Sequence, residues 1–247
     1  MHLTVTYKPC GLVAIGRGCC NLTKFEIQGC ENVTVKGDGN GFCSEDRVWE
    51  KLGYLSLWIS VGEFLTPLPM TGLDDCPSLE EIRIKIEGDC RGKRSPAEPK
   101  FGLSCLALYP KLSKMKLDCG KTIGLALTTP PMQMGFSFWE RFFLTGIGSL
   151  SLSELDYWPP HDINVNQSSI SLPGAGLLQE CPTLRKLFIH GTIHDHFMNF
   201  LLRIPNLRDV QLRADYYPTP ESDMSTKMKV GSCSRFENQL NSRNIID

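Results

Sequence analysis

The sequence predicts an α/β repeat array whose parallel sheet takes one strand from each repeat. Three observations predict it. Cys181-Pro182-Thr183-Leu184-Arg185-Lys186-Leu187-Phe188-Ile189 carries apolar residues at Leu184, Leu187 and Ile189, and the last two alternate with polar or exposed positions, the period of a half-buried strand. The same phrase recurs at Leu22/Phe25/Ile27, Leu52/Leu55/Leu57, Leu79/Ile82/Ile84, Leu112/Met115/Leu117, Ile147/Leu150/Leu152 and Leu207/Val210/Leu212. Its leading residues stand from 23 (Leu184 to Leu207) to 37 (Ile147 to Leu184) residues apart, the spacing of stacked repeats. The pattern is that of leucine-rich repeats. Stacked, they give a curved solenoid with the parallel sheet on the concave face, helices on the convex face, and a C-terminal helix beyond the array.

Taken in order, Leu3 and Val5 read as the tail of a repeat strand, so the array is expected to begin in mid-course. The first full unit runs from Gly11 to Cys30, a short helix followed by the strand Leu22 to Ile27. Gly37-Asp38-Gly39-Asn40-Gly41 lacks the strand before and helix after that a phosphate loop needs, and reads as an inter-repeat turn. Spacings beyond 20–29 residues place the excess in loops. These are Glu87 to Pro99, a polar loop that could alternatively carry a basic import signal; Gly120 to Trp139, with alternating Met and Phe; and Asp156 to Gly174. In the last, Tyr157-Trp158 ahead of two prolines is either a turn capped by core aromatics or an exposed aromatic contact point.

Between the inward leucines, alternation puts Lys24, Glu26, Gln28; Tyr54, Ser56, Trp58; Glu81, Arg83, Lys85; Lys114, Lys116, Asp118; Ser149, Ser151, Ser153; Lys186, Phe188, His190; and Asp209, Gln211, Arg213 on the concave face. Arg83, Lys85, Lys114 and Lys116 make its middle basic. That patch is either a solvated surface or a site for acidic groups.

A net charge of −1 gives no general attraction to nucleic acid or an anionic membrane. No apolar run approaches the roughly 18 residues of a membrane span. Of eleven cysteines, Cys20, Cys76 and Cys181 precede repeat leucines while Cys30 and Cys119 follow strands, which points to packing and to reduced thiols in cytosol or nucleus. No nucleophile elbow, zinc helix or phosphate loop occurs. His190, His194 and His196, with Asp195, are the one histidine cluster, and the last three read as the start of a helix through Phe200 and Leu201. No catalytic, metal or cofactor residue is therefore assigned; a metal-dependent enzyme built on these histidines is the weaker competitor.

The array is expected to span residues 1–213. A Pro/Ser/acidic linker follows over 214–231 and a helix over 232–247, opened by the capping box Ser234-Arg235-Phe236-Glu237. Phe236 and Leu240 would dock that helix on the last repeats, leaving Ile245, Ile246 and Asp247 off the docking stripe for a partner.

Trp139-Glu140-Arg141-Phe142-Phe143-Leu144, Leu155-Asp156-Tyr157-Trp158-Pro159-Pro160, Leu184 to Gly191, Ile204 to Leu212 and the tail from Cys233 to Asp247 closely resemble the plant MORE AXILLARY GROWTH/DWARF-type F-box leucine-rich-repeat family. The resemblance covers nearly the whole chain. It implies a non-catalytic, nuclear recognition subunit of an SCF-type ubiquitin ligase in strigolactone and karrikin signalling. Its implied partners are an α/β-hydrolase receptor and a Clp-ATPase-like repressor. The Skp adaptor would be reached only through the family's F-box, which this chain does not show, and no cofactor is implied. The stretch Gly39 to Cys43 is compressed relative to the family. A repeat scaffold or inhibitor unrelated to ubiquitin is the alternative.

Overall fold

The computed structural model describes residues 2–6, 19–28, 49–60, 76–89, 103–123, 144–162, 167–168, 172–191 and 200–212. Its strands are β1 (His2–Thr6), β2 (Lys24–Gln28), β3 (Tyr54–Ser60), β4 (Glu81–Asp89), β5 (Lys114–Ile123), β6 (Glu154–Trp158), β7 (His161–Asp162), β8 (Gln167–Ser168), β9 (Lys186–Ile189) and β10 (Asp209–Leu212). Eight of them lie side by side in the order β1-β2-β3-β4-β5-β6-β9-β10, every neighbouring pair parallel. The short β7 and β8 form an antiparallel pair beside β5. Parallel pairing requires a crossover between strands, and chain order follows sheet order throughout, so each repeat contributes one strand and one return path. This is an α/β, leucine-rich-repeat-like architecture. Leu3 and Val5 fall on β1, in register with Phe25 and Ile27.

The same backbone device recurs along the sheet. The anchor leucine's N–H closes a tight turn onto the carbonyl three residues earlier: Leu22 on Cys19, Leu52 on Trp49, Leu79 on Cys76, Leu112 on Tyr109, Leu184 on Cys181. The carbonyl just after the anchor then accepts two N–H groups from the following repeat. Thr23 receives Gly53 and Tyr54, Gly53 receives Glu80 and Glu81, and Glu80 receives Ser113 and Lys114. Strand entry is thus hydrogen-bonded, which matters because an unpaired buried peptide group is costly.

This ladder corrects the phase of one repeat. Ser113 accepts from Ser153 and Glu154, and Ser153 from Arg185 and Lys186, so the anchor there is Leu152 and the strand phrase is Leu152/Leu155/Tyr157. The sequence expectation of Ile147/Leu150/Leu152 captured instead the turn before it, where Leu150 N–H bonds to the Ile147 carbonyl. Ile147, Leu150 and Leu152 are all buried, so apolar spacing alone could not separate turn from strand. The insertion expected from Asp156 therefore begins with β6 itself, with Tyr157 in the core and Trp158 half-buried on the open face. Likewise β4 runs to Asp89 and β5 to Ile123, shortening the two loops expected from Glu87 and Gly120.

The core is a continuous column behind the sheet, with Phe25, Leu55, Ile82, Met115, Leu155, Leu187 and Val210 stacked in register. Tyr109 and the Phe25–Trp49 stack, centroids 5.4 Å apart, take wider gaps. Among the described residues the return paths hold helix α1 (Leu172–Gln179) and 3-10 segments at Leu103–Leu108 and Ile147–Ser149. Within the same residues no helix is long and apolar enough to cross a membrane.

Candidate protein-binding face

The side chains that alternate with the core residues lie together on the opposite, open face of the sheet. Strand register sorts them into rows. The row nearest the strand entries reads Lys24, Tyr54, Glu81, Lys114, Glu154, Lys186, Asp209, its charges alternating from Glu81 to Asp209. Opposite charges on directly paired strand positions contribute about 0.2–1 kcal/mol each.

The next row breaks the rule. Glu26, Ser56, Arg83, Lys116, Asp156, Phe188 and Gln211 are in register, placing Arg83 and Lys116 side by side on β4 and β5. Each cation turns away from the other. The Arg83 guanidinium lies 5.3 Å from the Tyr54 ring centroid, and its Nε donates to Glu81 Oε1 at 2.9 Å. Lys116 Nζ lies 5.5 Å from the Trp158 ring centroid and 3.4 Å from Asp156 Oδ2. Partial burial works against the Arg83 charge, but its hydrogen bond to Glu81, with Tyr54 and Asp156 nearby, holds its pKa above the ordinary arginine value. Desolvation raises the Tyr54 hydroxyl above its ordinary value, and the Arg83 charge works the other way.

Aromatic rings line the third row. Lys85 Nζ sits 3.8 Å over the Trp58 ring and 2.9 Å from Glu87 Oε1. Trp158 stacks on His190 at 3.9 Å and 12°, and His190 Nε2 is 2.6 Å from Asp156 Oδ1. Asp118, between them, accepts the Gly120 N–H at 3.0 Å. Trp158 is therefore held as a rigid ring by a buried histidine.

Arg83, Lys85, Lys114 and Lys116 thus share one face, as alternation predicts, but three of them carry a carboxylate neighbour. Glu154, Asp156 and Trp158 occupy the face positions for which Ser149, Ser151 and Ser153 were expected, a consequence of the phase error. The alternation Leu155-x-Tyr157 was the signal that could have found them. His190 is buried against Trp158 instead of facing solvent. His194 and His196 lie outside the described residues, among which no group of three His, Cys, Asp or Glu could hold a metal ion. Phe236, Leu240, Ile245, Ile246 and Asp247, and with them the linker and tail helix, lie outside those residues too.

The cysteines divide by place. Cys76, Cys119 and Cys181 are buried thiols outside any disulfide, and burial, then Glu180, pushes Cys181 up to about 12. Cys20 is exposed, and the repeat position belongs to its neighbour Cys19, whose carbonyl closes the turn. Cys30 lies outside the described residues.

No family model matches the chain. It is 63% identical to the F-box protein MAX2 of Arabidopsis thaliana over 330 residues, 96% of this chain and 48% of that protein. To the F-box protein MAX2 homolog B of Petunia hybrida it is 68% identical over 215 residues, 87% of this chain and 30% of the relative. The F-box/LRR-repeat MAX2 homolog of Oryza sativa subsp. japonica is 60% identical over 202 residues, 81% of this chain and 28% of the relative. The chain thus spans about half the length of these curated relatives or less. Since 330 aligned positions exceed its 247 residues, the Arabidopsis protein carries residues within the matched region that have no counterpart here. Over nearly all of its length, then, the chain matches the MAX2-type F-box leucine-rich-repeat proteins of plants.

Proposed function

We propose that this chain is the leucine-rich-repeat recognition part of an F-box protein, a curved solenoid that binds proteins for an SCF-type ubiquitin ligase and catalyses nothing itself. The observation that carries the reading is identity of 60–68% to named F-box proteins from three plants. The open face supports it, because half-buried aromatic rings bracketed by charges are what protein-binding surfaces use. In this reading the partners are an α/β-hydrolase receptor of strigolactone or karrikin and a Clp-ATPase-like repressor, met in the nucleus. Contact with a Skp-type adaptor belongs to an F-box and not to the repeat strands. The segment 232–247 is the receptor contact, docked through Phe236 and Leu240 and offering Ile245, Ile246 and Asp247.

The test is a pull-down of the hydrolase receptor with and without hormone, using the full chain and a chain ending at Gly231. Hormone-dependent capture by the full chain, lost on truncation, is the expected result. Capture that ignores the hormone would favour a general repeat scaffold, and equal capture by the truncated chain would remove the tail from the contact.

A further inference from the structure

We propose that Arg83 and Lys116 form a receiving slot for an acidic side chain, Asp or Glu, presented by an extended segment of a protein partner. The proposal deepens the protein-binding reading and rests on it. The two residues are register partners on adjacent parallel strands, about 4.8 Å apart across the sheet. Like charges directly opposite one another in a sheet are destabilising. Here the cost is partly relieved by splay: Arg83 leans over β3 onto Tyr54, and Lys116 leans toward β6 onto Trp158 and Asp156. The divergence leaves room above the β4/β5 seam between two positive groups.

The chemistry of the lining selects the occupant. The hydrogen bond to Glu81 uses Arg83 Nε, and among the described residues the terminal guanidinium nitrogens make no further one, so a carboxylate can take both. Lys114, one alternate position along β5, is exposed and adds a third cation. Beyond the cations stand two rings, Tyr54 and the His190-braced Trp158, which suit apolar neighbours of the acidic residue. A lone small anion would leave those rings unused; an acidic–apolar peptide would cover them.

The pairing makes a prediction that a merely structural pair does not. Arg83→Gln or Lys116→Gln should weaken binding of an acidic segment while leaving the chain folded, with at most a small fall in melting temperature from the lost Glu81 or Asp156 contact. The experiment measures fluorescence anisotropy of a labelled decapeptide alternating Asp/Glu with Leu/Phe, against the full chain at low salt. Its Asn/Gln counterpart and inorganic phosphate are run beside it, with Lys51→Gln as a distant surface control. Expected are binding of the acidic peptide alone, a loss of about 3–10-fold per single substitution and more for the pair, no loss in Lys51→Gln, and cooperative melting in every variant. Equal binding of the amide peptide, unchanged binding by the double variant, or displacement by phosphate at concentrations comparable to the peptide would each overturn the slot. Receptor pull-down is read separately, so a failed slot leaves the ligase reading standing, and the converse also holds.

Discussion

Cys181 has chemistry that its surroundings cancel. With its thiol pushed up from an ordinary 9.0 to about 12 by burial, it stays protonated in the folded chain while an unfolded chain ionises. Between these values the unfolded state binds fewer protons, so stability is fully present below about pH 9 and falls as pH rises through the window. Cys181→Ala should therefore make urea stability measured from pH 8.5 to 10.5 decline less steeply than in the parent chain. Thiol labelling of the folded chain should reach exposed Cys20 well before Cys76, Cys119 or Cys181. Gly148 tests close packing at the same scale. A Cβ there would meet Glu180 Cβ at 2.7 Å and the Glu180 carbonyl oxygen at 3.0 Å, and the backbone oxygen cannot swing aside. Gly148→Ala should cost about 1–3 kcal/mol, read from denaturant melts.

Strand β6 is the element whose phase decides which residues are functional. Tyr157 has no exposed surface and stacks between Leu117 and Ile189 in register, whereas Ser151 is exposed. Tyr157→Ala should cost about 3–5 kcal/mol, and Ser151→Asp within about 0.5 kcal/mol, in the same melts. A reversal would restore the phase that apolar spacing suggested. The alternating entry row makes a second test across β4, β5 and β6. Lys114→Glu would set three acids side by side with Glu81 and Glu154, costing about 0.5–2 kcal/mol over the two contacts. Because these groups are partly exposed, most of that loss should vanish at about 1 M salt, where screening shortens to roughly 3 Å.

At the scale of the whole sheet, each strand is supported only by its neighbours, so stability should be graded along the path. Amide exchange should be slowest in β4 and β5, each flanked on both sides by long strands or the β7 hairpin, and faster toward β1 and β10 at the path's ends. Uniform protection would mean that the described array opens as one unit. The Arabidopsis relative's extra residues fit this modular view. A neighbour-to-neighbour stack keeps its pairing rule whatever its length.

By itself the sequence determined the strand-per-repeat sheet, six of seven strand phases, the inward leucines and most of the open-face roster. All of these follow from side-chain period, which is local and survives without knowledge of neighbours. It also carried the family, through segments such as Leu155-Asp156-Tyr157-Trp158-Pro159-Pro160, where the repeat pattern alone does not dictate the residues. Only the tertiary structure decided the phase at Leu152, since turn and strand there bury apolar residues at the same spacing and only cross-repeat hydrogen bonds tell them apart. It alone spread the four basic residues over three rows, gave three of them carboxylate neighbours, and set Arg83 and Lys116 as a like-charged pair between two rings. The like-charged pair, the ring contacts and the Lys116–Asp156 bridge join residues of different repeats, across register that no single repeat encodes.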